Sequence, residues 1–428
     1  MSYRNGLNYL ESKTKVLELY NRFGARVAVC PEWNGRVMTS TGDGLDGTSY
    51  GLIHVAAIDA AQVGPAFCFF GGEDQLTLSP KGGPFSLYYE TEAAGFSSAR
   101  DHPHPPHGYR EGPFVVDTAP PDPQIRMRRT VQMTNLAGAL FDFDIVRTVR
   151  LLEHGDIERF LGHPVAVSLE QSDVSFVGFE TTNSLHNRGQ PLVRESGLVS
   201  LRIRSMFNSG QNTVVIVPFR IGDAVELGPT VCADFLGASP HGRLRVLPQA
   251  ALLRADSKYR CQIGVSRRRA LPILGSVDFR TGLLTLTTFN LPTKPWQRDY
   301  PCNDYCETTG NAVVDFVSAR EYFLAESTAT ASDENDGEIV LERSPEDTPY
   351  SGEVVRVYNH GPAHPGEQPT AQFYEFNVFS PATELNRGES LTHHQFTAHI
   401  NADNQTLAYL VRTILGVEYE RVYEKMIH

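Results

Sequence analysis

The chain has 428 residues, of which 41% are hydrophobic and 21% charged, with 36 Gly and 27 Pro. This composition excludes disorder as the main state and is typical of a turn-rich globular protein with a sizeable core. Acidic residues outnumber basic residues by 50 to 38, and the formal net charge of −12 repels phosphate backbones and anionic lipid surfaces. The sequence therefore predicts no nucleic-acid partner.

No apolar run approaches the roughly 20 residues that span a bilayer, and residues 1–21 lack the apolar segment of a signal peptide. We expect a cytoplasmic protein with no membrane partner. The six cysteines are scattered without the spacing of a disulfide framework, so we expect reduced thiols. Only six of the 38 basic residues are Lys, and the rest are Arg, whose planar guanidinium suits carboxylates and other oxygen ligands.

Alternation with a period of two residues recurs along the whole chain and predicts strands separated by Gly- and Asn-rich turns. The predicted strands are 26–30, 85–90, 114–117, 125–133, 141–152, 174–181, 213–219, 259–264, 283–289 and 372–379. Helical spacing predicts a helix over 404–415, and a second short helix is predicted at the start of the chain. Because no βαβ rhythm is present, we expect a mostly β fold of large antiparallel sheets stacked face to face.

Two carboxylates, Glu73 and Asp74, follow the apolar run 66–70 and the pair Gly71-Gly72. Glycines allow close approach of the backbone, so this strand end is a candidate polar-ligand site. The alternative is a turn whose acidic side chains face water.

The densest titratable cluster contains His102, His104 and His107 in a Pro-rich loop at 101–122. Imidazoles at this spacing could supply a general acid or metal ligands. The alternative is an exposed His-rich loop, because spacing alone does not identify the further ligand that a zinc site needs. Since long loops in compact domains are often functional, we expect 101–122 to form a wall of the site.

No clear domain boundary interrupts the chain, so we expect residues 1–428 to form one domain. Residues 327–353 carry the acidic stretch 332–337 and are predicted to be a solvated surface insertion. Residues 417–428 form a C-terminal extension whose packing the sequence does not predict.

Glu375 lies in the otherwise apolar and aromatic run 373–379. A carboxylate is expensive to bury unless it is hydrogen-bonded or has a chemical role. Partial burial is expected to raise its pKa toward the range of a general base. In a strand, Glu375, Asn377 and Phe379 share one face, and the alternative is that this face is simply solvated.

The segment from Phe373-Tyr374-Glu375 to Ser380-Pro381, followed by 384–393, resembles the C-terminal end of aldose 1-epimerases (galactose mutarotases). Further segments are similar to an uncharacterised bacterial group of mutarotase-like proteins. These segments are 35–40, 70–74, 79–83, 180–183, 275–278 and 358–362. The resemblance covers most of the chain and implies a β-supersandwich with a sugar site on a concave sheet.

The resemblance also implies roles for individual residues. Glu375 matches the catalytic glutamate, and His104 or His107 stands in the place of a substrate-binding histidine. The acid is expected from this loop or from His360, because the segment that carries the acid histidine in the family, here 195–208, contains no His. Substrate-binding positions are assigned to the following residues: Arg36, Glu73, Asp74, Asn183 and His360.

Three functions follow as alternatives. The first is an aldose 1-epimerase-like isomerase acting on a free sugar or sugar acid, and the second is a carbohydrate-binding protein without catalysis. The third is a lyase or another sugar isomerase on the same scaffold, since one fold hosts unrelated chemistries. In each case the expected partner is a small carbohydrate, with no cofactor and no metal. The sequence does not predict the oligomeric state.

Overall fold

The computed structural model describes residues 1–61, 70–82, 84–88, 112–171, 174–234, 242–301, 349–362 and 371–427. In these ranges strands predominate, and they form three sheets whose paired strands are all antiparallel. The expectation of a mostly β fold with large antiparallel sheets is therefore confirmed.

The ten-stranded sheet is the largest layer. In spatial order its strands are β12 (Leu244–Val246), β13 (Ala250–Arg254), β10 (Thr213–Pro218), β15 (Ile273–Asp278), β16 (Leu283–Phe289), β19 (Ser390–Asn401), β8 (Ser175–Asn187), β7 (Leu140–Leu151), β6 (Gln124–Thr134) and β5 (Val115–Thr118). In β7 the buried positions alternate strictly with partly exposed ones. This pattern places one set of side chains in the core, as the period-two rule requires.

Two smaller sheets accompany it. The six-stranded sheet has the spatial order β11 (Cys232–Asp234), β14 (Cys261–Ser266), β17 (Glu353–Asn359), β18 (Phe373–Phe379), β9 (Ser200–Asn208) and β4 (Gln75–Ser79). The three-stranded sheet has the order β1 (Leu17–Tyr20), β2 (Arg26–Cys30) and β3 (Arg36–Thr41). Apolar side chains of the six-stranded and ten-stranded sheets share one core cluster, which includes Phe376 of β18 and Val215 of β10.

Four of the described helices pack on the opposite face of the ten-stranded sheet. The α-helices of the described ranges are α1 (Tyr3–Glu11), α2 (Val55–Ala61), α3 (His154–Leu161), α4 (His163–Gln171), α5 (Ala224–Leu227), α6 (Asn404–Leu410), which continues as a π-helix over Val411–Leu415, and α7 (Tyr419–Met426). Side chains of α3, α4, α6 and α7 join Phe396 and Ile400 of β19 in one buried cluster. The C-terminal segment thus forms a helix that covers the sheet. Within the described ranges, no helix is long and apolar enough to cross a membrane.

The helices predicted at the start of the chain and over 404–415 are confirmed. The strand predicted over 85–90 is wrong in its described part, because residues 85–88 form turns and bends. The Ser86 hydroxyl lies 2.8 Å from the carbonyl oxygens of both Lys81 and Tyr88, and it accepts the Tyr88 N–H at 3.0 Å. Such side-chain bonds to the local backbone compete with the ladder of a sheet.

Candidate functional site

Glu375 occupies the middle of β18, an inner strand of the six-stranded sheet. Its neighbours Tyr374 and Phe376 point into the core, where the Tyr374 hydroxyl lies 2.6 Å from the Ser276 hydroxyl of the ten-stranded sheet. Because side chains alternate along a strand, Glu375 and Asn377 point to the opposite side. We call this side of the six-stranded sheet the outer face.

Neighbouring strands contribute further polar groups to the outer face. In an antiparallel pair, residues directly opposite one another project from the same face. The residues opposite Glu375 are Tyr358 and Met206, those opposite Asn377 are Arg356 and Arg204, and the one opposite Phe379 is Arg202. Among the described residues, three arginines of the outer face therefore lie near Glu375.

These polar side chains are nearly inaccessible to solvent. Glu375 is 5% exposed and Asn377 is 2% exposed, while Arg202, Arg204 and Arg356 are each at most 8% exposed. The alternative of a solvated face is therefore wrong. Charges and hydrogen bonds that are shielded from water interact more strongly than exposed ones, so their pairing determines the properties of the face.

A chain of hydrogen bonds joins the two central strands. Arg204 forms an ion pair with Glu375 through Nη2 and Oε1. The amide Nδ2 of Asn377 donates to the other carboxylate oxygen of Glu375 at 3.2 Å. On its far side the Asn377 Oδ1 accepts two bonds from Arg202, at 3.0 Å from Nε and 2.5 Å from Nη2. Arg356 pairs with Glu353, at 2.9 Å.

The pKa of Glu375 is lowered, which corrects the expectation of a raised value. Burial alone would raise this pKa, but the charge of Arg204, its hydrogen bond and the charge of Arg202 together outweigh burial. The pKa of Arg202 falls to about 10, because burial and the neighbouring Arg204 both disfavour its charge. Glu375 is consequently an ionised carboxylate in a positively charged environment.

Tyr358 and His360 lie beside Glu375 at the end of β17. The Tyr358 hydroxyl is 3.1 Å from Nδ1 of His360, and the His360 ring stacks on Phe373 with 4.4 Å between ring centroids. Burial and the nearby charge of Arg260 lower the pKa of His360 to about 4, so its imidazole is neutral at pH 7. Burial raises the pKa of Tyr358 to about 12, so its phenol keeps its proton.

Four of the predicted ligand residues lie elsewhere, in the interior between the sheets, and all are fully buried. Asp74 pairs with Arg147, at 2.6 Å between Oδ1 and Nη2, and Arg147 also donates to Oδ1 of Asn183 at 2.6 Å. Glu73 accepts bonds from the backbone N–H of Ser40, at 2.6 Å, and lies 3.1 Å from Nε2 of His399. Arg36 donates to the carbonyl of Gly71 at 2.7 Å. These predicted ligand groups are thus hydrogen-bonded within the protein.

The separation of the two clusters arises at the start of β4. Gly71 and Gly72 have φ values of +95° and +108°, and a Cβ at Gly71 would lie 2.0 Å from the carbonyl oxygen of Leu52. Beyond this glycine bend, Asp74 binds Arg147 in the interior, while Gln75 is paired in register with Arg204. Residues that are paired in register share a face, so Gln75 lies on the outer face with Arg204. Consecutive residues face opposite ways, so Asp74 lies on the inner side, and the six-stranded sheet separates it from Glu375.

The predicted residues His104 and His107 lie outside the described residues, as do 101–111 of their loop and 327–348 of the acidic insertion. In the part of the chain that is described, no group of three or more His, Cys, Asp or Glu side chains is arranged to hold a metal ion.

Sequence reasoning missed Arg202, Arg204, Asn377 and Tyr358 as partners of Glu375. A signal for the first two was present. Arg202 and Arg204 alternate along β9 with the buried apolar residues Leu201 and Ile203, so the two arginines share the other face of the strand. Two buried arginines on one face of a strand require hydrogen-bonding partners on the neighbouring strands.

Three solved structures that are similar to this one are distant in sequence. The Slr1438 protein from Synechocystis sp. PCC 6803 is 10% identical, with a TM-score of 0.48 over 91% of this chain and 97% of that chain. A "putative aldose 1-epimerase" from Escherichia coli K12 is 8% identical, with a TM-score of 0.44 over 91% of this chain and 99% of that one. Another so named, from Klebsiella pneumoniae, is 11% identical, with a TM-score of 0.47 over 94% and 84%.

No curated protein matches the chain. A family profile, by contrast, matches residues 1–315 and 329–426. That match extends over nearly the whole sequence and includes both the outer face and the interior cluster. The chain therefore belongs to DUF6786, a family of unknown function.

Proposed function

We propose that the outer face around Glu375 binds a free sugar or sugar acid, and that the chain is an aldose 1-epimerase-like isomerase in which Glu375 accepts the proton of the anomeric hydroxyl. One observation carries the proposal. Glu375 is an ionised, buried carboxylate that Arg204 and Asn377 hold in a fixed position. A positioned carboxylate of this kind is what general base catalysis requires.

The surroundings of Glu375 suit a polyhydroxylated ligand. Sugar sites combine a few fixed polar groups with aromatic surface. Asn377 and Arg204 supply planar polar groups, and Tyr358 lies opposite Glu375 in register. The stacked pair of His360 and Phe373 adds a flat aromatic surface at the end of the same strands.

Opening a pyranose ring needs a proton donor for the ring oxygen as well as a base for the anomeric hydroxyl. His360 is neutral at pH 7, so it has no imidazolium proton to give. Tyr358 keeps its phenolic proton and projects from the same face as Glu375. Among the described residues we therefore assign the donor role to Tyr358.

A second function, carbohydrate binding without catalysis, is favoured by the lowered pKa of Glu375. The positive charge of Arg204 keeps the carboxylate ionised, and it also weakens the carboxylate as a proton acceptor. In this alternative Glu375 and its arginine bind hydroxyl groups and no bond is broken.

The test is the rate of mutarotation of freshly dissolved α-anomers, followed by NMR or polarimetry. The panel contains glucose, galactose, their 6-deoxy analogues and the uronic acids. We expect the wild type to accelerate at least one sugar and Glu375→Gln to lose the acceleration. Glu180→Gln is a matched control, because Glu180 also pairs with an arginine, Arg150, but on the ten-stranded sheet.

Acceleration that persists in Glu375→Gln would refute Glu375 as the base. Binding of a sugar by wild type without any acceleration would establish the second function in its place. Loss of acceleration in both variants would indicate a general loss of structure, which circular dichroism of the two proteins detects.

A further inference from the structure

Arg202 differs from the other two arginines of the outer face in its partners. It is 8% exposed, and its Nη1 atom is buried with no hydrogen-bond partner among the described residues. Its Nε and Nη2 atoms both donate to a neutral acceptor, the amide oxygen of Asn377. Arg202 forms no ion pair with any residue that the structure describes, whereas Arg204 and Arg356 each pair with a carboxylate.

Arg202 is therefore a buried cation without an anionic partner among the described residues. A buried cation without an anion is costly, and a guanidinium remains charged at neutral pH. The lowered pKa of Arg202 has the same origin, in burial and in repulsion by Arg204. One monovalent anion at the end of the Arg202 side chain would balance the charge.

The free edge of the guanidinium has a specific shape. Nη1 has no partner among the described residues and lies next to Nη2, so this edge presents a planar pair of N–H donors. A carboxylate accepts two parallel hydrogen bonds from such a fork. A phosphate dianion would bring two negative charges to one guanidinium, so a carboxylate is the better match for Arg202.

We propose that Arg202 binds the carboxylate of a sugar acid, a hexuronate, whose anomeric carbon faces Glu375. The inference rests on the proposed function of the same face and names its substrate class. Arg202 and Glu375 are both hydrogen-bonded to the amide of Asn377, so their charged groups are separated by that amide and two hydrogen bonds, a span of about 8 Å. In a hexuronate the anomeric carbon and the carbon that bears the carboxylate flank the ring oxygen, so one ring spans the two groups.

The experiment compares the affinities of the full chain for glucuronate and glucose, and for galacturonate and galactose, by calorimetry or ligand-observed NMR. We expect the uronate to bind about tenfold tighter or more than its parent sugar, because the added hydrogen bonds are charge-assisted. The preference should weaken with added salt. In Arg202→Gln the ratio of the two affinities should fall close to one, and in Arg202→Lys it should be intermediate.

Arg150→Gln is the matched control, because Arg150 is a partly buried arginine of the ten-stranded sheet, paired with Asp156 and Glu180. It should keep the wild-type ratio. The comparison within the wild type needs no variant, so it decides the question even if Arg202→Gln does not fold.

Equal affinity of the wild type for a uronate and its parent sugar overturns the inference. It leaves the proposed function standing if Glu375→Gln still abolishes mutarotation of the neutral sugar. Tighter binding of glucose 6-phosphate than of glucuronate overturns the assignment to a carboxylate. Failure to bind or accelerate any sugar overturns the inference together with the proposed function.

Discussion

Arg147 of β7 and Asp74 form an ion pair of 2.6 Å in which both side chains are fully buried. Arg147 also donates to the carbonyl oxygen of Gly35, at 2.7 Å, while Asp74 exchanges backbone hydrogen bonds with Val37 of β3. This single pair therefore connects the ten-stranded sheet with the three-stranded sheet and the entry into the six-stranded one.

Asp74→Asn should destabilise the protein strongly, because it leaves the Arg147 charge buried without its anion. Removing one partner of a buried ion pair lowers the free energy of unfolding by about 3–5 kcal/mol. Urea unfolding of wild type and variant measures the loss. Asp46→Asn is the control, since Asp46 pairs with Arg4 on the surface and its loss should leave the unfolding midpoint unchanged. Equal stabilities of Asp74→Asn and wild type would contradict this role.

The stability of the wild type should decrease as the pH falls below the ordinary glutamate pKa of 4.5, and Glu375 should contribute to the decrease. Its pKa is lowered in the folded state, so the unfolded state binds the proton more readily. The contribution of Glu375 is thus complete above pH 4.5 and is lost as the pH falls through the lower, folded value. Unfolding midpoints between pH 7 and pH 3 should show a smaller decrease in Glu375→Gln. Parallel curves for the two proteins would refute the prediction.

Arg204→Gln should raise the pKa of Glu375, because burial then acts without the compensating charge of its main partner. Carbon-13 NMR of labelled glutamate carboxyls measures the titration directly. If the chain is an isomerase, the acid limb of its rate profile should move to higher pH by the same amount. In Arg150→Gln the titration of Glu375 should not change. A Glu375 titration that is identical in wild type and Arg204→Gln would contradict the lowered pKa.

Tyr358→Phe should reduce the mutarotation rate by about 100-fold, because a positioned proton donor contributes at least this factor. Sugar affinity should change much less, so the loss should appear in kcat. Tyr300→Phe is the control, since the buried Tyr300 hydroxyl has no hydrogen-bond partner among the described residues. A full rate in Tyr358→Phe would remove Tyr358 from the mechanism.

Met426→Ala should destabilise the chain by about 2–5 kcal/mol, the usual cost of truncating a buried methionine. Met426 is 3% exposed and belongs to the cluster between the helices and the ten-stranded sheet. Chemical unfolding provides the measurement. Glu424→Ala, on the exposed side of α7, should have little effect. Similar stability of Met426→Ala and wild type would show that α7 is not required for the fold.

Much of the fold was predictable from alternation alone. The strands at 26–30 and 283–289 have the predicted bounds, because their burial follows from their own side chains. Helices α3 and α4 were missed. The apolar residues of α4 show little helical periodicity, whereas Ile157, Phe160 and Leu161 of α3 do have helical spacing, and this signal was overlooked. The cytoplasmic location, the single domain and the absence of a nucleic-acid partner stay predictions.

The site was less predictable than the fold. The sequence identifies Glu375 as a carboxylate in an apolar strand, but it does not show which strand lies beside it. The partners Arg204 and Glu375 are 171 residues apart. The positive φ of Gly72 also interrupts the alternation that would otherwise assign Glu73 and Asp74 to a face. Cross-strand pairing and glycine bends, which depend on the folded backbone, therefore decided the composition of the site.

The amide of Asn377 has one permitted orientation, because its oxygen accepts from Arg202 while its nitrogen donates to Glu375. An anion bound to Arg202 neutralises the positive charge at one end of this amide. That charge also helps to keep Glu375 ionised, so its neutralisation favours protonation of Glu375. Anion binding and protonation of Glu375 are therefore thermodynamically linked, and the linkage is reciprocal. An anion that raises the pKa of Glu375 must itself bind more tightly to the protonated form, by the same factor.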